Sequence, residues 1–208
     1  MRSSIGCGSR RALLEAAREV LAADGAHATV AAIAARAGVG IGSLYRRYPT
    51  KEQLFQRLSA LAVEQWATAL DQGLANDDPW AGLAGFVTAC VEFGQGSLGP
   101  IAGTIEITEQ MRAMSRRADQ RLDELVDRAH AAGVLRPEVS GVDLILLIEQ
   151  LGRSPLIDLL PAAAEARNRI ITIVLNGLRG IHDEPLPGKP PTKKLLSERW
   201  THADAAEL

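Results

Sequence analysis

Aromatic residues make up only 4% of this 208-residue chain, and cysteine occurs twice, at Cys7 and Cys90. Ala, Leu and Arg are abundant instead, a balance that favours helices over sheets. No stretch alternates apolar and polar residues for long enough to make a strand. The two cysteines are far apart and fit no metal or redox spacing, so a disulfide framework is not expected and a reducing compartment is. His27, His130, His182 and His202 show no metal-ligand spacing either. No apolar run approaches the roughly 18 residues that span a membrane. The apolar stretch near the N-terminus is broken by Arg10, Arg11, Glu15, Arg18 and Glu19, which is not the pattern of a signal peptide. No nucleophile–base pattern stands out. These absences predict a cytoplasmic protein with no catalytic residues, no metal, no cofactor and no membrane partner.

What remains is a chain with enough apolar material to fold: 47% hydrophobic and 23% charged residues. The net charge of −2 conceals an asymmetry. Residues 1–57 hold nine Lys/Arg against four acids, whereas the rest holds 14 basic and 21 acidic residues. A basic head on an acidic body is the footprint of a protein in which only the head meets phosphate.

Helical periodicity recurs along the chain. After a flexible arm over 1–8, a helix is expected from Ser9 to Ala23, with Gly25 ending it in the left-handed conformation. Thr29 can cap a short helix over Val30–Ala37, Gly38-Val39-Gly40 makes a tight turn, and a third helix runs from Ile41 to Arg47 until Pro49 stops it. Thr50 and Gln53 have capping-box spacing at the start of a long helix reaching Leu74. Asn76-Asp77-Asp78-Pro79 breaks it and opens the next, over 79–97, which Gly82, Gly85, Gly94 and Gly96 weaken. Further helices are expected over 101–111, 114–132, from Ser140 to Gly152, and over 161–178. Pro185, Pro187, Pro190 and Pro191 mark 181–208 as a flexible tail. The predicted fold is all-α, with a three-helix head over 1–50 and a helical body over 51–180.

Two short helices joined by a tight turn form a helix-turn-helix, whose second helix lies in the major groove of DNA. Ala34 and Ala37 allow the pair to approach closely, and Val39 and Leu44 can plug the space between them. Ile41, Gly42, Ser43, Arg46 and Arg47 then project outward. A Gly-x-Gly-x-Gly string at 38–42 could suggest a nucleotide site, but it follows a helix rather than a strand.

The run from Thr29 through Ala34, Gly38, Val39, Gly42, Leu44, Tyr45, Tyr48, Pro49, Lys51 and Leu54 to Phe55 resembles the DNA-binding signature of the TetR/AcrR family. The resemblance covers roughly 10–58. It implies a double-stranded, palindromic DNA operator as partner. By position it assigns Thr29, Tyr45, Tyr48 and Lys51 to phosphates, Ile41, Gly42, Ser43 and Arg46 to base edges, and Arg47 more to phosphate. Gly40 departs from the Ser or Thr common there, which removes one hydroxyl. Tyr48 equally suits a core position. The resemblance also implies a second, all-helical domain that dimerises and encloses an inducer pocket. Within the family, the segment Ala132-Gly133-Val134-Leu135-Arg136-Pro137 and the helix after it resemble the SbtR-like regulators.

Candidates for contact with a small-molecule effector are Trp66, Phe86, Cys90, Phe93, Ile105, Glu106, Met111 and Leu125, with Leu122 beside them. Residues at such helical spacing more often form plain core. Thr104, Thr108, Glu109 and Gln110 could add polar contacts. Leu144, Leu147, Ile148 and Leu151 form one apolar stripe and Ile170, Val174 and Leu178 another, with Ile171 and Leu175 beside it, which suits the interface of a homodimer. The expectation is a repressor released from its operator by a small molecule. The alternative is a helical dimeric regulator controlled by a protein partner with no inducer.

Overall fold

The computed structural model describes residues 7–93, 106, 108–152, 162–180 and 184–194. The helices are α1 (Cys7–Asp24), α2 (Val30–Arg36), α3 (Ile41–Arg47), α4 (Lys51–Ala75), α5 (Pro79–Glu92), α6 (Glu109–Ala131), α7 (Gly141–Gly152) and α8 (Ala163–Leu178), with a 3-10 turn at Gly25–His27. The only strand-like pairing among the described residues is one antiparallel bridge between Leu135 and Arg179. The fold is therefore all-α.

Side-chain caps explain most of the boundaries. Thr29 Oγ1 accepts from the Ala32 amide at 3.1 Å and Thr50 Oγ1 from the Gln53 amide at 3.1 Å. Asp78 Oδ1 accepts from the amides of Trp80 and Ala81, with Pro79 in the first turn where no amide is missed. Ser140 and Asp143 form a reciprocal capping box: the Asp143 amide donates to Ser140 Oγ at 3.2 Å, and the Ser140 amide to Asp143 Oδ2 at 2.7 Å. Gly25 and Gly133 follow α1 and α6 at φ 57° and 66°, a region that costs other residues steric strain.

Some expected boundaries move. The first helix starts at Cys7, inside the stretch expected to be a flexible arm, because one glycine in a first turn costs only about 1 kcal/mol. The charged helix expected from 114 starts at Glu109, since Thr108 Oγ1 caps it by accepting from the Met111 amide. Most of the helix expected over 101–111, and residues 94–97 of the one before it, lie outside the described residues.

Two apolar clusters organise the chain. The head core contains Leu13, Leu14, Ala17 and Leu21 of α1, Val30, Ile33 and Ala34 of α2, Leu44 of α3, and Leu54, Phe55, Leu58 and Leu61 of α4. Three short helices could not bury this much apolar surface, so the head borrows the first half of α4. The body core gathers Ala69 and Leu70 from the second half of α4 with Leu83, Phe86, Val87, Cys90, Leu122, Leu125, Leu144, Ile148 and Ile171. Each such fully buried Leu or Ile contributes about 1.5–3 kcal/mol relative to exposure.

Two devices hold α4 in the body. Gly73 of α4 meets Gly82 of α5 backbone to backbone: a Cβ on Gly73 would lie 2.9 Å from the Gly82 carbonyl oxygen, and one on Gly82 would come closer still to that of Gly73. Gly82 therefore permits a tight helix crossing rather than merely weakening its helix. Arg128 of α6 donates to the carbonyls of Leu74, Asn76 and Asp77 at 2.5–3.0 Å, placing a cation on the carbonyl end of α4.

The loop after α6 is tied to the end of α8. The Arg136 amide donates to the Leu178 carbonyl and the Gly180 amide to the Val134 carbonyl. The buried Arg136 side chain donates to the Glu184 carbonyl. Lys193 pairs with Asp123 of α6 at 2.6 Å. Part of the stretch expected to be a free tail is thus held against the body at both of these points.

Candidate nucleic-acid interface

The helix-turn-helix is built from α2 and α3. After α2 the chain turns through Gly38, at φ 65°, and the Val39 amide returns to the Ala34 carbonyl at 3.0 Å. Ala34 and Leu44 are buried, and Val39 and Ala37 pack against the same cluster, so this seam closes as the sequence implies. Glu19 of α1 pairs with Arg36 of α2 and holds that guanidinium above its ordinary pKa through the hydrogen bond and the charge. The pair is exposed, so its contribution to stability is small.

With Leu44 facing inward, the rest of α3 faces out. Ile41, Gly42, Tyr45, Arg46 and Arg47 are exposed, and Ser43 is half-buried. A Cβ added at Gly42 would meet nothing within 4 Å, so the backbone there is open to close approach. The Arg47 guanidinium lies 5.9 Å from the centre of the Tyr48 ring, and Tyr48 itself packs against the head core. Tyr48 is half-buried there, so its ring meets the core position expected of it in part. Lys51 begins α4, its ammonium 5.1 Å from the Phe55 ring centre. A cation at a helix N-terminus is opposed by the helix dipole, so helix stability does not explain its place. The exposed Thr29 spends an acceptor lone pair on its cap and keeps its hydroxyl proton to donate. Gly40 caps α3 without a side-chain hydrogen bond.

The expected effector residues fall into two groups. Trp66, Phe86, Cys90 and Leu125 belong with the body core. Trp66 meets Phe86 edge to face, with centroids 5.0 Å apart. Burial pushes the Cys90 thiol far above its usual range, which leaves it protonated. Phe93 and Met111 instead pack against the head core. Glu106 is exposed and bonded to the first half of α4: its carbonyl accepts from Gln56 Nε2 at 3.2 Å, and its amide donates to Glu52 Oε1 at 3.4 Å. Ile105 lies outside the described residues. The second group is therefore a seam between head and body. Arg18 of α1 joins it, its guanidinium 4.8 Å from the Phe93 ring centre. Sequence reasoning does not find Arg18, Glu52 or Gln56, because these contacts span about fifty residues or more and leave no local signal.

Among the described residues no group of His, Cys, Asp and Glu is placed to hold a metal, and no helix is long and apolar enough to cross a membrane.

A helix-turn-helix with an open recognition helix, mounted on a helical body, defines a DNA-binding regulator. Residues 13–58 match the model of the bacterial regulatory proteins of the tetR family, and residues 78–180 match the SbtR-like transcriptional regulator C-terminal domain. The chain belongs to the TetR family of transcription regulators. The fold is similar to that of PfmR from Thermus thermophilus, at 21% identity and a TM-score of 0.59 over 79% of this chain and 97% of that one. The ketosteroid transcriptional regulator KstR2 of Mycobacterium tuberculosis is 23% identical, with a TM-score of 0.55 over 86% and 99%. LfrR from Mycobacterium smegmatis is 24% identical, with a TM-score of 0.52 over 84% and 97%. None of the curated proteins compared with the chain matches it.

Proposed function

We propose that this regulator is a homodimeric repressor that binds a palindromic operator and leaves it when a small apolar or amphipathic molecule enters the body. The observation that carries the reading is the orientation of α3: Leu44 is buried while Ile41, Gly42, Arg46 and Arg47 stand outward. In this reading Ile41, Gly42, Ser43 and Arg46 face base edges. Thr29, Tyr45, Tyr48, Arg47 and Lys51 hold phosphates, the ring of Tyr48 packing on the head core as well. The head spans about 1–50 and the regulatory body about 51–180.

Support for a dimer comes from α7 and α8. Ile173 is 60% exposed, and Ile170, Val174, Leu147 and Leu151 are only partly buried in the single chain. Pairing these faces would remove that apolar surface from water. Support for an effector comes from the apolar body interior around Trp66, Phe86, Cys90 and Leu125. The seam at Phe93, Met111 and Glu106 is where a change in the body would reach the head.

Selection from random double-stranded DNA tests the reading. The expected product is a palindrome whose half-sites are about 34–36 Å apart or a multiple of that. Lys51→Ala should lower the salt slope of binding by roughly 1 per subunit, equally on all sequences. A pool that enriches no sequence, or a stable monomer at micromolar concentration in the ultracentrifuge, overturns the proposal.

A further inference from the structure

Ile41, the first residue of α3, is 45% exposed. Gly40 and Gly42 flank it, and a Cβ built on either would meet nothing within 4 Å. The isoleucine therefore projects from a stretch of backbone whose two adjacent residues carry no side chain. Tyr45 lies four residues on, on the same face, and is 46% exposed. Among the described residues, the other exposed large apolar side chains are Ile173 and Leu186. Half of this small set thus sits on one face of a seven-residue helix.

Nothing in the head accounts for isoleucine at this place. Its side chain is absent from the head core, and β-branched residues are mediocre helix formers. A single exposed isoleucine is ordinary on a protein surface. Here its neighbours set it apart: the adjacent glycines let the backbone come close to a partner, so the isoleucine reaches first. In the major groove the apolar feature of a base edge is the 5-methyl group of thymine. Cytosine, adenine and guanine present polar atoms there, against which the side chain would bury without compensation.

We propose that Ile41 is a specificity-determining residue that reads the 5-methyl group of one thymine in each half-site. The inference rests on the DNA-binding reading above. It assigns to Ile41 a different chemistry from that of Arg46, which reads by hydrogen bonds.

The test uses the DNA that the full-length protein selects from a random pool. Each thymine of the selected site is replaced in turn by deoxyuridine, which removes the methyl group and keeps every hydrogen-bonding atom. Binding is followed by fluorescence anisotropy. One position per half-site should weaken wild-type binding by roughly three- to tenfold, the effect of one apolar carbon leaving contact. Ile41→Ala should bind the thymine and deoxyuridine sites alike, and Ile41→Val should keep part of the discrimination. A selected site indifferent to every such replacement overturns the inference and leaves the DNA-binding reading intact. So does a deoxyuridine effect that persists unchanged in Ile41→Ala. A pool in which no sequence is enriched overturns both.

Discussion

The guanidinium of Arg18 lies 4.8 Å from the centre of the Phe93 ring, joining the first helix of the head to the residue that ends α5. Phe93 packs on the head core at the same time. A body residue thus completes the head, and an arginine of the head covers it. A double-mutant cycle with Arg18→Ala and Phe93→Ala, measured by urea unfolding, should give a coupling of about 0.5–1 kcal/mol. Additive losses would show that the two side chains are neighbours without attraction.

Gly82 and Gly85 lie one turn apart on α5 and should respond to alanine with opposite signs. At Gly82 a Cβ would press on the Gly73 backbone, which cannot swing away as a side chain could. Gly82→Ala should cost about 1–3 kcal/mol. At Gly85 a Cβ would meet nothing within 4 Å, so Gly85→Ala should stabilise by up to about 1 kcal/mol through the lost freedom of the unfolded chain and the better helix former. Thermal unfolding of the two variants decides the matter.

Arg46 and Arg47 are adjacent and both exposed, yet they point about 100° apart around the helix. Arg47 is drawn toward the Tyr48 ring at its own end of α3. Arg46→Ala should cost about 1–3 kcal/mol and relax preference at one operator position, as loss of a bidentate contact to guanine does. Arg47→Ala should weaken every sequence alike. Site selection from random DNA with each variant separates the two roles, and altered preference in Arg47→Ala alone would reverse them.

Asp119 of α6 carries a carboxyl whose pKa burial raises above its ordinary 3.8; Lys193 opposes that shift and the charge of Asp123 adds to it. A raised carboxyl pKa means that the folded state holds the proton more tightly. Its contribution is favourable below the ordinary value and is lost as pH rises through the folded one. At neutral pH the ionised Asp119 is therefore a cost, and Asp119→Asn should be more stable than wild type there. The gap should close as pH falls below about 3.8. Urea midpoints across that range check the sign.

The legible parts of this fold are those encoded within a few residues. Thr29, Thr50, Asp78 and Ser140 each cap a helix through a bond spanning two or three positions, so their roles stand in the string itself. The turn at Gly38 and the outward face of α3 follow from the same local rules. Gly82 reads as a weak point in the sequence because its purpose, the crossing with Gly73, lies on another helix. Phe93 and Met111 look alike with Trp66 and Phe86 because all are apolar at helical spacing. Which core such a residue joins is settled by tertiary packing, and no window of sequence holds that information.

The sharing of α4 between the two cores limits how this regulator can be taken apart. Leu54, Phe55, Leu58 and Leu61 close the head, while Ala69 and Leu70 on the same unbroken helix close the body. A chimera cut at Thr50, between α3 and α4, would hand the transplanted head a foreign floor and strand those four side chains on the donor. A transferable module must run at least through Leu61, and it would still arrive without Phe93 and Met111. On the reading proposed above, operator specificity is better exchanged by replacing residues on α3 than by swapping heads.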